Sequence, residues 1–409
     1  MKPHIHGITL NPLKCTGCTN CIKLCPTEAI RVKNGKAKII EEKCIHCGTC
    51  LHVCPFNAFT GITHDLKDIF QYPYKIALLD PVLYSQFSES ISPSKIIDTI
   101  RDYGFDDVYD LSMGSHIITE FTKNHIEKNP DLSVISSVCP AILRLIQLRF
   151  HGLIKNILPI ISPAEIVASI IRKKAIKELN LSDREIGIFY ISPCTAQIFN
   201  FQYPLGKKTS NVNGVLSIKS LFLMISKNLK AFDNDTYFTP SGDAIDWARV
   251  EGESKSLGIR EYLAIDGIEN VVEVLEEIES NKIKDLKFIE CRACTNGCVG
   301  GCLTVENPFV AMNRVRRLAE KYDSYPAKIE EESFDNFLFS EPIPELYATK
   351  LDLDFAKAIE KLMEIEKVLE LLPQIDCGAC GSPSCRALAE DIVLGHAKLS
   401  DCMVDLKYK

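Results

Sequence analysis

The 409-residue chain has no uninterrupted apolar run long enough to cross a bilayer. Its most apolar region, around Leu153 to Ile171, is cut by Lys155, Pro159, Pro163 and Glu165. The amino terminus, Met1 to Leu13, lacks an apolar core of signal-peptide length. These absences speak against a membrane span and lead to the expectation of a cytoplasmic protein. A basic surplus is also missing: 47 Lys and Arg face 54 Asp and Glu, a net charge of −7 with both signs mixed. The electrostatic footprint of a nucleic-acid binder is therefore absent. No kinase, sensor or flavin module is recognisable, so any signalling output would need a partner. What the chain has in plenty is cysteine. Eighteen in a long chain without a secretion signal argue for metal rather than disulfides.

Eight cysteines precede residue 55, four lie between 377 and 402, and six fall in the middle. Cys15-x2-Cys18-x2-Cys21-x3-Cys25-Pro26 and Cys44-x2-Cys47-x2-Cys50-x3-Cys54-Pro55 form an internal repeat. This is the bacterial two-cluster ferredoxin spacing, in which the fourth cysteine of each run serves the other cluster. Cluster one is expected on Cys15, Cys18, Cys21 and Cys54, and cluster two on Cys44, Cys47, Cys50 and Cys25. Zinc fits poorly, because the usual zinc spacings lack the third cysteine and the Cys-Pro ending. Ile30-Arg31-Val32 and Ala37 to Ile40, around Asn34-Gly35, read as a hairpin between the two runs.

The middle cysteines centre on Glu290 to Cys302, which holds Cys291, Cys294, Cys298 and Cys302 with Gly297, Gly300 and Gly301. The stretch follows Leu286 to Ile289, read as a short buried strand, so the cysteines are expected to begin where that strand ends. Cys294 and Cys298 are four apart, which one helical turn would place on one face. A local site of Cys291, Cys294, Cys298 and Cys302, holding zinc or a simple cluster, is one reading. A second reading draws on distant thiols. Cys139 ends the run Leu132 to Val138, and Cys194 follows Ile186 to Ile191 with only Ser192 and Pro193 between. Three strand-like runs thus deliver cysteine at their carboxyl ends, which converge in an open α/β sheet. The ligand set on this reading is Cys139, Cys194, Cys294 and Cys298.

Ser-Ser-Val-Cys-Pro (136–140), Ser-Pro-Cys-Thr-Ala (192–196) and Glu-x-x-Ala-Cys-x-x-Gly-Cys-x-Gly-Gly (290–301) resemble the three active-site signatures of [FeFe]-hydrogenases, in matching order. The resemblance implies that the four matching cysteines hold a [4Fe–4S] cluster. It implies that Cys298 also bridges to a two-iron subcluster with CO, cyanide and a dithiolate amine, completing an H-cluster. The implied chemistry is reversible oxidation of H2 to protons and electrons, with maturation proteins supplying the cofactor. A ferredoxin or a signalling protein would be the redox partner. The chain departs from catalytic members at several positions. The cysteine that passes protons is Val138 here, a cyanide-contacting lysine is Gln197, and a relay glutamate is Asn200. Two methionines beside the two-iron site are replaced by Ser192 and Arg292. These changes resemble the slow, sensory branch of the family, and they suggest a substitute proton route through Glu290 with Cys291 or Cys302. The alternative function is an iron–sulfur assembly or electron-transfer protein without H2 activity.

The expected fold class is α/β, and three domains are expected. Residues 1–65 form a two-cluster ferredoxin domain of α+β type. Residues 70–345 form a two-lobed domain of largely parallel sheets flanked by helices, and residues 350–409 a helix plus a small iron–sulfur domain. Strands are expected at Lys75 to Leu79 and Asp107 to Leu111. Helices are expected at Ile96 to Tyr103, from about His116, and at Ala141–Phe150, Pro163–Lys177, Ser217–Leu229 and Ile268–Glu279. Tyr237 to Gly242 reads as a Gly/Pro surface turn, and weakly resembles a cofactor-facing loop of the family. Residues between Pro326 and Pro344 read as an acidic linker. Asp354 to Leu372 reads as an amphipathic helix leading into Cys377-Gly-Ala-Cys380-Gly-Ser-Pro-Ser-Cys385, with Cys402 returned to that loop by a helical Arg386 to Leu399. This looks like a third additional [4Fe–4S] site, zinc being the alternative there.

Overall fold

The computed structural model of the chain describes residues 6–229, 240–324, 334–348, 350–352 and 354–404. The amino-terminal unit is built on two antiparallel pairs. Strand β1 (Ile8–Leu10) pairs with β4 (Phe59–Gly61), and β2 (Ile30–Lys33) with β3 (Lys36–Ile39). Asn34 and Gly35 both take positive φ in the β2–β3 turn, as an Asn-Gly hairpin requires. Short helices over Asn20–Lys23 and Thr49–Val53 carry Cys21 and Cys50.

The larger unit holds two sheets, both wholly parallel. Strands β5 (Tyr74–Leu79), β6 (Asp107–Asp110), β8 (Ile186–Ser192) and β9 (Gly214–Ser217) form one sheet in the order β6-β5-β8-β9. Strands β7 (Val134–Ile135), β10 (Tyr262–Asp266) and β11 (Phe288–Arg292) form the other, in the order β10-β11-β7. Successive side chains of β5 and β8 alternate between two apolar cores. Ala77, Leu79, Phe189 and Ile191 enter one, and Ile76, Leu78, Ile188 and Tyr190 the other. Such two-sided burial explains why these strands read as continuous apolar runs. The second sheet is likewise buried on both faces.

Several boundaries differ from the expectation. The helix expected from about His116 starts at Ser112, because the Asp110 carboxylate receives the Ser112 backbone N–H at 2.9 Å and opens the turn early. The run Leu132 to Val138 yields only a two-residue strand. Beyond Ile135 the strand ends, the Ser136 hydroxyl donating to Glu253 and the Ser137 hydroxyl to the Ile160 carbonyl. Strand β11 runs on to Arg292, so Cys291 lies inside the strand rather than after it. Of the expected Gly/Pro turn, Tyr237, Phe238 and Thr239 lie outside the described residues, while Ser241 starts the helix Gly242–Asp246. Residues 334–339, expected within a linker, pack on the larger unit. Phe337 is buried and its carbonyl accepts from Ile161 N at 2.9 Å.

Candidate metal centre and its electron path

β7 and β11 run the same way in one sheet, and β8 runs parallel to its neighbours in the other. Each is followed by a cysteine: Cys139, which caps the helix Pro140–Arg149, Cys194, which caps Thr195–Gln202, and Cys294. Cys298 follows on a single 3-10 turn, Gly297–Gly300. The structure brings these four thiols within electrostatic reach of one another, and burial, reinforced by the neighbouring sulfurs, pushes Cys194 and Cys294 well above the usual thiol range. Burial also pushes Cys298 up to about 12, against the pull of Arg292. Thiols so crowded and desolvated are poor free groups but good iron ligands, because metal binding removes the proton. The chemistry of this donor set suits an iron–sulfur cluster.

Beside Cys298 lies a small cavity of about 40 Å³, lined by Val138, Gln197, Arg292, Asp80, Tyr190 and Trp247 among others. Two polar atoms at its wall, Arg292 Nη1 and Gln197 Oε1, are buried without a hydrogen-bond partner. A buried unpartnered guanidinium nitrogen is costly. An anionic group in the cavity, such as the cyanide-bearing subcluster of an H-cluster, would supply its partner. At the opposite wall Tyr190 donates its hydroxyl to Asp80, whose carboxyl is raised by burial, the hydrogen bonds of Tyr190 and Val82 opposing it.

Arg292 is locked from behind. Its Nη2 donates to Glu253 at 2.9 Å and its Nε to Glu290 at 3.1 Å, all three side chains being essentially inaccessible. Burial is the largest influence on Arg292 and weakens its cation, but Glu290 and Glu253 together more than reverse this. Glu253 is pushed up to about 7 by burial, with Arg292 opposing. It receives the Ser136 hydroxyl at 2.8 Å, and Ser136 in turn accepts from Val138 N at 3.3 Å, at the cavity wall. Glu290 accepts from Ser254 N and Oγ and from the backbone of half-exposed Glu251.

The structure does not bring Glu290 together with the two surplus thiols. Glu290 and Arg292 share one face of β11, whereas Cys291 points to the other, among Ile135, Ile142, Ile265 and Ile289. Cys302 lies at the junction with the ferredoxin unit, its Sγ 3.3 Å from Thr195 Oγ1 and within electrostatic reach of Cys194 and Cys294. A local site of Cys291, Cys294, Cys298 and Cys302 is opposed by Cys291, which is packed into the apolar core. Asn200 accepts from Leu205 N and has no described contact with Glu290.

Cys302 and Thr195 mark the junction with the ferredoxin unit. The Thr195 hydroxyl donates to the His46 carbonyl at 2.7 Å, so one hydrogen bond links the residue after Cys194 to the residue before Cys47. Gly48, between Cys47 and Cys50, has φ +80° and stands where a Cβ would lie 2.3 Å from Cys302 Sγ. Only glycine admits so close an approach. His46 stacks on Phe199 at 3.8 Å between ring centroids, and Arg144 Nε donates to the Cys44 carbonyl at 2.8 Å.

Within that unit the thiols fall into two sets. Cys15, Cys18, Cys21 and Cys54 line one cavity, and Cys25, Cys44, Cys47 and Cys50 another. Burial first, then neighbouring sulfurs, raises Cys21 to about 12 and Cys50 well above the usual thiol range. In the carboxyl-terminal unit Cys380, Cys385 and Cys402 pack in one cluster, and exposed Cys377 opens the same loop. Sequence reasoning missed Glu253 and Thr195. Thr195 was signalled by its place beside Cys194, but Glu253 sits in a Gly-Glu-Ser-Lys-Ser stretch that reads as a solvated turn.

The parallel sheets, the converging cysteines and the ferredoxin unit define an [FeFe]-hydrogenase-like iron–sulfur oxidoreductase. The family described as "Iron only hydrogenase large subunit, C-terminal domain" matches residues 74–243 and 230–302, more than half of the chain. The chain belongs to that family. A "4Fe-4S dicluster domain" matches residues 6–58 and a "Putative Fe-S cluster" domain residues 372–404. Among solved structures, an apo [FeFe]-hydrogenase of Chlamydomonas reinhardtii is 13% identical, covering 70% of this chain and 97% of that one, with a TM-score of 0.53. Another structure of an [FeFe]-hydrogenase from that alga is 14% identical over 68% of this chain and 95% of that one, with a TM-score of 0.51. At this identity the likeness shows the fold. A component of the ion-translocating oxidoreductase complex of Escherichia coli is 44% identical over 45 residues, 11% of this chain. The chain thus spans only 23% of the length of that curated relative. No helix among the described residues is long and apolar enough to cross a membrane.

Proposed function

We propose that this chain holds an H-cluster and interconverts H2 with protons and electrons, slowly, in an H2- or redox-sensing role. Cys139, Cys194, Cys294 and Cys298 would hold the cubane, with Cys298 facing the two-iron site. When bound, that group supplies the heterolytic chemistry on H2; the protein supplies ligands, orientation and a proton path. The observation that carries the reading is the unpartnered Arg292 nitrogen, at a cavity that also receives Cys298. Gln197 offers its amide at the same wall, in the role the family gives to a lysine.

The proton path is proposed to run through Glu253. A buried carboxyl with a pKa near 7 can hold and release a proton at neutral pH. Ser136 and Arg292 fix its orientation and connect it to the cavity wall, and Arg292 joins it to Glu290, which accepts from the Glu251 backbone nearer the surface. Val138, which closes the cavity where catalytic relatives carry a proton-passing cysteine, accounts for slow turnover. Electrons would leave by the Thr195–His46 hydrogen bond to the Cys25/Cys44/Cys47/Cys50 site, then to the Cys15/Cys18/Cys21/Cys54 site. Electrons pass on to a protein partner, a ferredoxin or a signalling protein.

Val138 also favours the second reading, an electron-transfer or assembly protein without H2 activity. Matured protein should reduce a dye under H2, and Cys298→Ala should abolish this. Dye reduction absent from fully matured protein, or surviving in Cys298→Ala, rejects the first reading.

A further inference from the structure

The carboxyl-terminal iron–sulfur unit does not hang free. It is seated on the ferredoxin unit by contacts that are buried and specific. Arg31 in β2 donates through Nε and Nη2 to the two Asp391 oxygens, at 2.6 and 3.2 Å, with side chains 6% and 10% exposed. Such a bidentate fork fixes orientation as well as distance. Beside it, Val32 N donates to the Gly381 carbonyl at 2.8 Å. Ser384 Oγ donates to Glu28 at 3.0 Å, and Lys23 Nζ to the Asp376 carbonyl.

The two glycines of the cysteine loop show how close the approach is. Gly381 has φ +85°, and a Cβ there would lie 1.8 Å from the Val32 carbonyl oxygen. Gly378, at φ +75°, rests on Lys23 and on Ile22, the residue after Cys21. Gly378 lies between Cys377 and Cys380, and Gly381 follows Cys380 directly. Val32 itself lines the cavity of Cys15, Cys18, Cys21 and Cys54. Only one residue and one hydrogen bond therefore separate Cys380 from the wall of that site. Towards the other ferredoxin site the contacts are less direct: Ser384 reaches Glu28, whose N–H donates to the Cys25 carbonyl at 3.0 Å, and Glu390 of the helix Cys385–Val393 meets Lys43 at 3.8 Å.

We propose that the carboxyl-terminal cluster is the outermost station of one serial electron path, wired to the Cys15/Cys18/Cys21/Cys54 site. An external one-electron carrier, a ferredoxin-type protein or a viologen dye, would be oxidised as this cluster is reduced. The same electron then passes to the Cys15 site, and onward to the Cys25 site and the centre. The Arg31–Asp391 pair is a positioning element: it holds the two clusters at a fixed separation and touches neither. This rests on the proposed reading of Cys377, Cys380, Cys385 and Cys402 as an iron–sulfur site, and needs nothing from the two-iron centre.

The test is electron paramagnetic resonance of the full-length, iron-loaded, reduced protein. Wild type should show spin coupling between the carboxyl-terminal cluster and a ferredoxin cluster. Cys385→Ala, lacking the outer cluster, should change the signal of the Cys15 site and leave that of the Cys25 site as it was. Asp391→Ala should lose the coupling while keeping its iron. If it sheds iron, Arg31→Leu, which leaves the carboxyl-terminal unit's own residues intact, carries the same expectation. A wild-type spectrum without this coupling, or coupling that survives both replacements, overturns the proposal. An unchanged iron content in Cys385→Ala would instead reject the cluster reading on which it rests.

Discussion

Replacing Arg292 by Leu removes one cation from between two inaccessible carboxylates, and the expected consequence depends on pH. Removing one partner of a buried ion pair costs about 3–5 kcal/mol, because the charge left behind is uncompensated. Here both Glu253 and Glu290 are left. Glu253 is already raised from 4.5 to about 7. A tenfold change in proton affinity is worth about 1.4 kcal/mol, so that rise already makes its ionised form about 3 kcal/mol unfavourable. Between pH 4.5 and 7 the folded state keeps a proton that the unfolded state has released, so stability falls as pH rises through that window. Without Arg292 the folded pKa climbs further, and the fall continues above pH 7. The deficit of Arg292→Leu should therefore be small at pH 5 and reach roughly 3–5 kcal/mol at pH 8. For a unit of this size that is a loss of roughly 10 °C in melting temperature. Calorimetry of the metal-free protein at the two pH values measures it. An equal drop at both, or a drop of less than about 2 °C at pH 8, would refute the buried triad as the origin of the effect.

Other consequences can be measured separately. Glu253→Gln should remove the inflection near pH 7 from H2-dependent dye reduction; a profile that keeps it assigns the proton elsewhere. Thr195→Val leaves the buried His46 carbonyl without its donor and should cost about 1–3 kcal/mol in chemical denaturation, whereas Thr195→Ser should stay close to wild type. Gly48→Ala should lower the iron bound at the Cys25/Cys44/Cys47/Cys50 site. Adding Cys302→Gly should recover part of it, since the steric clash with Cys302 is relieved while about 1–3 kcal/mol of strain at φ +80° remains.

The legible part of this molecule was written in short-range pattern. Buried parallel strands such as Ile186–Ser192 announce themselves as apolar runs, and the ferredoxin spacing fixes eight thiols through local geometry alone. The approach of Cys139 and Cys294 follows from strand direction, since β7 and β11 are parallel in one sheet, whereas Cys194 comes from the other sheet and its meeting with them rests on how the two sheets pack. What was not legible depends on which face a side chain takes. Three further residues of strand in β11, Glu290 to Arg292, turned Cys291 away from Glu290, and a two-residue period permits no compromise. Glu253 was hidden for a different reason. Its burial comes from the packing of the Gly252–Ser256 helix against β11, a contact that no local pattern encodes. The seating of the carboxyl-terminal unit was invisible too, because Arg31 and Asp391 are 360 residues apart.

Infrared spectroscopy of the matured protein tests the central claim most directly. If sulfurs from three remote strand ends and the Arg292 cation enclose an H-cluster, bands from bound CO and cyanide should appear and should vanish in Cys298→Ala. Protein loaded with iron to the level of cubane clusters alone, showing no such bands after maturation, would contradict it.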